Sequence, residues 1–210
     1  MILAHRGAWK DIKEQNSFIS FQNAQKLKVG IETDIRDYNG EIIISHDLPT
    51  KKTIELKDLF KLWNENAFKS FLALNIKADG LSEELSKYIL NHNIDNYFFF
   101  DMSIPETKRY KELGLNYFIR ISEFEKDQTF LHNSSGIWLD CFISDWYDKE
   151  LIQSFLIQGK VVAIVSPELH KRPHIDLWKK LKKMNLPWNL GKILICTDLP
   201  KEAKEFFYEK

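Results

Sequence analysis

Eight short apolar runs, each stopping abruptly on polar residues, set the strongest limit on what this chain can fold into. They begin near Ile2, Ile31, Phe71, Tyr97, Asn116, Gly136, Val161 and Ile193, and most are followed by a stretch with helical spacing. Runs this short and this apolar fit strands covered on both faces, and their alternation with helices fits a parallel sheet. Eight such units are the count of a compact (β/α)8 TIM barrel. An open doubly wound sheet is the competing arrangement, but no glycine-rich phosphate loop follows the first strand. Helical spacing is read at Ser17 to Leu27, with Asn16 or Ser17 as N-cap and Gly30 ending the helix. It recurs around 56–63, at Pro105 to Leu113, Lys149 to Ile157, His174 to Met184 and Pro200 to Phe207. With 210 residues and no repeat, low-complexity tract or linker, residues 1–210 read as a single domain.

Polar chemistry concentrates between Met1 and Asp47. The first apolar run stops at His5-Arg6-Gly7, which places two cationic side chains at a strand end. In the next run Glu32 and Asp34 are two residues apart and project to one face. Neighbouring carboxylates repel, and burying them costs several kcal/mol unless a cation compensates. A hard divalent ion is the natural compensation. The other reading puts both on a solvated face, with Ile31, Thr33 and Ile35 toward the core.

Asn39-Gly40 then signals a tight β-hairpin, an arm after the second strand. Folding back there sets Asp34 opposite Ser45-His46 and Glu32 opposite Asp47-Leu48. A histidine thus returns toward the carboxylate pair, which favours the metal reading. In Phe71 to Lys77, alternation puts Phe71, Ala73, Asn75 and Lys77 on one face. If that face points inward, Asn75 and Lys77 join the same site; otherwise the strand simply runs into a polar loop.

A barrel gathers strand ends at one mouth, so His5, Arg6, Asp101, Arg120, Asp140, Glu168 and Asp198 would all lie there. Asp198 before Pro200 and Glu168 after Pro167 read as turn or capping residues, and Arg120 and Asp140 as a pair. Trp138, Trp146, Trp178 and Trp188 read as packing, with Phe142 and Trp146 placed to wall a pocket. His92 and His132 read as surface residues; His170, in a loop after a strand end, stays a candidate. Cys141 and Cys196 sit in or beside apolar runs and read as buried thiols.

Thirty basic and thirty acidic residues give a formal net charge of zero, with no basic block, which argues against a nucleic-acid partner. No apolar run approaches the ~20 residues of a membrane span, so no stable membrane insertion is expected. The first strand begins at residue 2, which leaves no room for a signal peptide and leads us to expect a cytoplasmic protein.

The order of His5-Arg6-Gly7, an Asn16-Ser17 helix start, Glu32-Thr33-Asp34, a glycine turn and His46-Asp47 resembles the glycerophosphodiester phosphodiesterase family. That family belongs to the phosphatidylinositol phospholipase C-like phosphodiesterase superfamily. The motif match is closest over Met1 to Asp47, weaker at Leu72 to Lys77, and architectural beyond. It implies hydrolysis of a small phosphodiester substrate by a TIM barrel. It further implies His5 and His46 as general acid and base, and Arg6 and Lys77 at the phosphate. A divalent metal, Mg²⁺ or Ca²⁺, is implied on Glu32, Asp34 and a residue of the Leu72–Lys77 strand.

The sequence departs from the family pattern in two places. Glu14-Gln15-Asn16 stands where the family has Pro-Glu-Asn, and Asn75-Ile76-Lys77 where it has Glu-x-Lys. An Asn75 oxygen ligates a hard cation but adds no charge, so metal affinity should fall. The alternatives are a lyase that stops at a cyclic phosphate and a non-catalytic barrel that binds a phosphorylated ligand.

Overall fold

The computed structural model describes residues 1–65, 68 and 70–208. Its strands are β1 (Ile2–His5), β2 (Gly30–Tyr38), β3 (Glu41–Ile44), β4 (Leu72–Ile76), β5 (Tyr97–Phe100), β6 (Phe118–Ile121), β7 (Gly136–Leu139), β8 (Val161–Val165) and β9 (Ile193–Thr197). The helices are α1 (Phe18–Leu27), α2 (Leu56–Asn64), α3 (Ser82–His92), α4 (Ile104–Glu112), α5 (Lys149–Ile157), α6 (Ile175–Lys183) and α7 (Pro200–Tyr208). Eight strands pair in parallel in the order β5-β4-β2-β1-β9-β8-β7-β6. The ring closes from β5 to β6 through a Phe99–Tyr117 bridge, with the Phe99 N–H donating to the Asn116 carbonyl at 2.9 Å. The architecture is thus the expected TIM barrel, and β3 is its antiparallel arm on β2.

One unit breaks the alternation. Between β6 and β7 the chain carries a single 3-10 turn, Leu131–Asn133, where other units carry an α-helix. Residues 122–130 have no 3.6-residue apolar period, so no face could dock on the barrel and hold a helix there.

Two apolar layers follow from strand alternation. Outward residues such as Ile31, Leu72, Leu74, Ile137 and Ile195 pack under the helices. Inward residues, among them Leu3, Ala73, Phe98, Phe100, Trp138 and Cys196, fill the barrel. Phe98 stacks on Phe118 at 3.6 Å and Phe100 on Trp138 at 4.0 Å, contacts worth about 1 kcal/mol each beyond their buried area. These rings form a floor under the mouth.

Helix α1 starts as expected, with Ser17 as N-cap in a reciprocal bond pair with Ser20. Its end differs from the sequence reading: Lys28 terminates it in the left-handed region at φ 55°, and Gly30 is already in β2. Gly30 serves packing there, since a Cβ would lie 2.6 Å from both Leu3 Cδ2 and the Phe71 carbonyl. The arm turns at Asn39 and Gly40, both with positive φ as the tight hairpin requires. Its ladder runs from Tyr38–Glu41 to Ile35–Ile44, and the Ser45 N–H donates to the Asp34 carbonyl at 3.0 Å. Asp34 therefore meets Ser45 as expected. β3 ends at Ile44, however, and Glu32 pairs with His5 of β1, not with Asp47. Both cysteines are free and buried, and burial pushes the Cys141 thiol up to about 12. Among the described residues no helix is long and apolar enough to cross a membrane.

Candidate active site

β1, β2, β4 and β9 are neighbours in the ring, and the polar residues at their ends meet at the mouth. His5 and Glu32 are partners in the β1–β2 register, and Asp34 and Asn75 in the β2–β4 register. All four lie on inward faces, above the aromatic floor. The solvated-face reading of the carboxylates is thereby excluded, because Glu32 and Asp34 are each 1% exposed.

Two such buried carboxylates require compensation, and the chain supplies it from four side chains. Arg6 Nε lies 3.0 Å from Asp34 Oδ2 and Lys77 Nζ 3.4 Å from Asp34 Oδ1. Asn16 Nδ2 donates to Asp34 Oδ2 at 2.9 Å. Glu32 Oε2 accepts the Arg6 backbone N–H at 3.2 Å and faces His5 Nε2 at 3.8 Å. Burial first, and the Asp34 charge second, push the Glu32 carboxyl up to about 7. Burial pulls His5 down, but the Glu32 carboxylate and the Asp198 hydrogen bond outweigh it and raise the imidazole above its ordinary value.

Asp198 was read as a turn residue, and the structure gives it a different place: His5 Nδ1 lies 2.7 Å from its Oδ1. That contact fixes the ring and leaves Nε2 toward the mouth. Glu168, also read as a cap, holds Asp198 in turn, accepting the Asp198 N–H at 3.2 Å and the Thr197 hydroxyl. The Trp9 indole N–H anchors the His5 carbonyl at 3.0 Å. Arg6 sits in the left-handed region at φ 55°, and Gly7 follows at φ 83°, where a Cβ would lie 2.4 Å from Ser20 Oγ.

Gln15, where the sequence departs from the family pattern, and Asn16, where it keeps it, are both engaged. Arg6 Nη1 donates to Gln15 Oε1 at 3.2 Å. Asn16, itself left-handed at φ 54°, bridges Asp34 and Thr33, accepting the Thr33 hydroxyl at 2.7 Å. In the sequence Asn16 stands out as a candidate N-cap and as part of the family-like helix start; its spacing from Asp34 gives no periodic signal of this contact.

His46 is the residue the fold does not bring into contact with the carboxylates. It lies past the end of β3, with its side chain 45% exposed and Nδ1 2.8 Å from the exposed Asp47 carboxylate. Its backbone carbonyl is held by Arg36 Nε at 3.0 Å. It shares with Arg6, Gln15, Asn16 and Ser45 the lining of a cavity of about 310 Å³. Across the mouth, Arg120 lies 3.9 Å from Asp140, the pair expected, but its closer partner is Asp101, and His170 Nε2 reaches Asp140 at 2.6 Å. Phe142 lies against the His170 ring at 4.4 Å, and the Trp146 indole N–H donates to the Asp140 carbonyl at 2.9 Å.

Among the described residues no three His, Cys, Asp or Glu side chains converge to hold a metal. A mixed donor set does fit a hard cation: two buried carboxylates, with Asn75 between β2 and β5, 7% exposed and its Oδ1 without a hydrogen-bond partner.

Solved structures share this arrangement of strands. A candidate glycerophosphodiester phosphodiesterase from Galdieria sulphuraria superposes with a TM-score of 0.75 at 17% identity, covering 98% of this chain and 96% of that one. The fold is that of the glycerophosphodiester phosphodiesterases. An Oleispira antarctica phosphodiesterase in complex with its product sn-glycerol-3-phosphate gives 0.69 at 14% identity, with 98% and 96% covered. A Ca²⁺-dependent phosphatidylinositol-specific phospholipase C from Streptomyces antibioticus gives 0.57 at 10%, with 97% and 95% covered. No family model and no curated protein matches the sequence. In this phosphodiesterase fold, the mouth described above is the place where the polar strand ends collect.

Proposed function

We propose that this chain is a phosphoric diester hydrolase acting on small glycerophosphodiester-like substrates. One observation carries the reading: a histidine fixed on a carboxylate stands at the barrel mouth beside two cations that a phosphate could recruit. Arg6 and Lys77 now neutralise Asp34. An incoming phosphate competes for them, and the planar guanidinium matches two of its oxygens at once.

His5, oriented by Asp198, moves one proton in the reaction, and His46, on the arm, moves the other. A neighbouring hydroxyl of the substrate, or water, gives its proton to one histidine as its oxygen bonds to phosphorus. The other histidine protonates the departing alkoxide oxygen. If the neighbouring hydroxyl attacks, a cyclic phosphate forms, which water then opens with the histidine roles exchanged. Lys77 and Arg6 stabilise the charge that builds on the phosphoryl oxygens. Glu32, Asp34 and Asn75 would hold a divalent ion, Mg²⁺ or Ca²⁺, which would supply further charge neutralisation at the phosphate.

The test is hydrolysis of bis(p-nitrophenyl) phosphate and glycerophosphocholine, with and without EDTA, by wild type and His46→Ala. The expected outcome is activity that falls in EDTA and in the variant. Activity lost only in the variant keeps the histidines and removes the metal. Accumulation of a cyclic phosphate identifies a lyase, and folded protein inactive under every divalent ion overturns the proposal.

A further inference from the structure

We infer that Glu168 is a positioning residue for His5: it ends a one-way hydrogen-bond chain that starts in the core at α6 and sets Asp198 against the imidazole. The catalytic meaning of His5 rests on the reading under Proposed function; the chain itself does not.

Asp198 stands where the barrel stops supplying order. The β1–β9 ladder ends at its Ala4–Thr197 rung and the β8–β9 ladder at Val165–Cys196, so neither reaches Asp198. A carboxylate that holds a ring nitrogen at 2.7 Å from such a position needs another constraint. Glu168 supplies it: its Oε1 accepts the Asp198 N–H at 3.2 Å and the Thr197 hydroxyl. The last residue of β9 and the first beyond it are thus tied to one carboxylate oxygen, in place of a further strand rung.

Donor chemistry fixes the direction of the chain from both sides. The Trp178 indole N–H can only donate, and it donates to Ser166 Oγ at 2.8 Å. Ser166 is fully buried and gives its single hydroxyl proton to Glu168 Oε2. On the other side the Leu199 N–H donates to Thr197 Oγ1 at 3.0 Å, and the Thr197 proton goes to Glu168 Oε1. With the Asp198 N–H, three hydrogens point at Glu168 and it returns none. Only a carboxylate accepts on both oxygens; an amide of the same shape turns its own hydrogens on one of these donors. A residue that merely ended a turn would need no such match.

Glu168 is itself held still. It sits in the 3-10 turn Pro167–His170, where Leu169 packs against the inner apolar layer and His170 reaches Asp140 at 2.6 Å. Lys171 closes the turn in the left-handed region at φ 59°, its N–H donating to the Glu168 carbonyl at 2.9 Å. At the far end Trp178 is 1% exposed. Four hydrogen bonds, through Ser166, Glu168 and Asp198, thus connect a core side chain of α6 to His5. Because His5 Nδ1 faces a carboxylate, Nδ1 carries the hydrogen and Nε2 is left for proton transfer. Arg6 and Lys77, which face Asp34, lie outside the chain.

Glu168→Gln keeps the shape and changes only the donor pattern. Wild type should show the His5 Nδ1–H as a downfield proton resonance, assigned by its loss in His5→Ala, and Glu168→Gln should move it upfield and broaden it. On bis(p-nitrophenyl) phosphate the variant should lose about tenfold in kcat with KM unchanged, because the phosphate cations are untouched. Added to Asp198→Asn it should bring no further loss, since both act through one bond. Ser166→Ala, which removes one donor and leaves the carboxylate, should move the resonance the same way, with kcat down about threefold. A resonance unmoved in both variants, a loss that multiplies with that of Asp198→Asn, or a loss carried by KM overturns the inference. The resonance also separates the two ideas. An inactive wild type whose resonance depends on Glu168 removes the hydrolase and keeps the positioning, whereas an active wild type with an indifferent resonance does the reverse.

Discussion

His5 stands at the end of a barrel strand, with its side chain 17% exposed and its ring locked on Asp198, whereas His46 stands beyond the arm, 45% exposed, on an almost fully exposed Asp47. The strand end inherits its position from ladders on both sides, to β2 and to β9. The arm pairs with β2 alone, and His46 lies past the last rung. One of the two proposed proton-transfer groups is thus held by the barrel, and the other only by its exposed neighbour. Rigidity at this mouth comes from being flanked, not from being near the barrel.

The largest effect should fall on the fixed residue. His5→Ala is expected to lower kcat/KM about 10³-fold on bis(p-nitrophenyl) phosphate, and His46→Ala about 10²-fold. Thermal melting of the His46 variant should stay within about 1 °C of wild type, as for other surface substitutions. Equal losses, or the reverse order, would break the contrast between the two histidines.

Asp198→Asn sharpens it, because it loosens His5 without removing it. Activity should drop about tenfold. The limb of the pH–rate profile that reports His5 should also move to lower pH, since Asp198 raises the imidazole. A tenfold loss with an unmoved limb would mean that Asp198 only supports the loop.

The smallest effect concerns the energetic cost of the fixed side. Glu32 titrates near 7 in the folded protein against an ordinary value near 4.5. Unfolding therefore releases a proton across that window, and stability falls as pH rises from about 4.5 to about 7. Glutamine cannot ionise, so Glu32→Gln should melt about 5 °C above wild type at pH 8 in EDTA, and level with it near pH 4.5. A melting difference that does not depend on pH would refute the buried-charge account of Glu32.

The barrel was legible because its strands are buried on both sides and its helices on one, and both patterns print directly on the sequence. Alternation put Asn75 and Lys77 on one face, which the β2–β4 register turns toward Asp34, and the Asn39-Gly40 turn fixed the pairing of Asp34 with Ser45. Contacts that depend on which strands become neighbours were not legible. Asp198 is 193 residues from His5, and only the β1–β9 pairing makes them partners. Asn16 was hidden for another reason: its left-handed backbone, next to a helix cap, looks like local punctuation, yet its amide spans two residues of β2. The missing helix after β6 has no motif at all: residues 122–130 simply lack an apolar period.

The pairing of the first strand with the last has a consequence for how the protein comes into being. Asp198 is made 193 residues after His5, and β1 waits without its β9 neighbour while the intervening seven strands are made. A chain that stops before β9 has His5 but not the carboxylate that fixes its ring. If His5 works as proposed, activity would report that the ring of strands has closed.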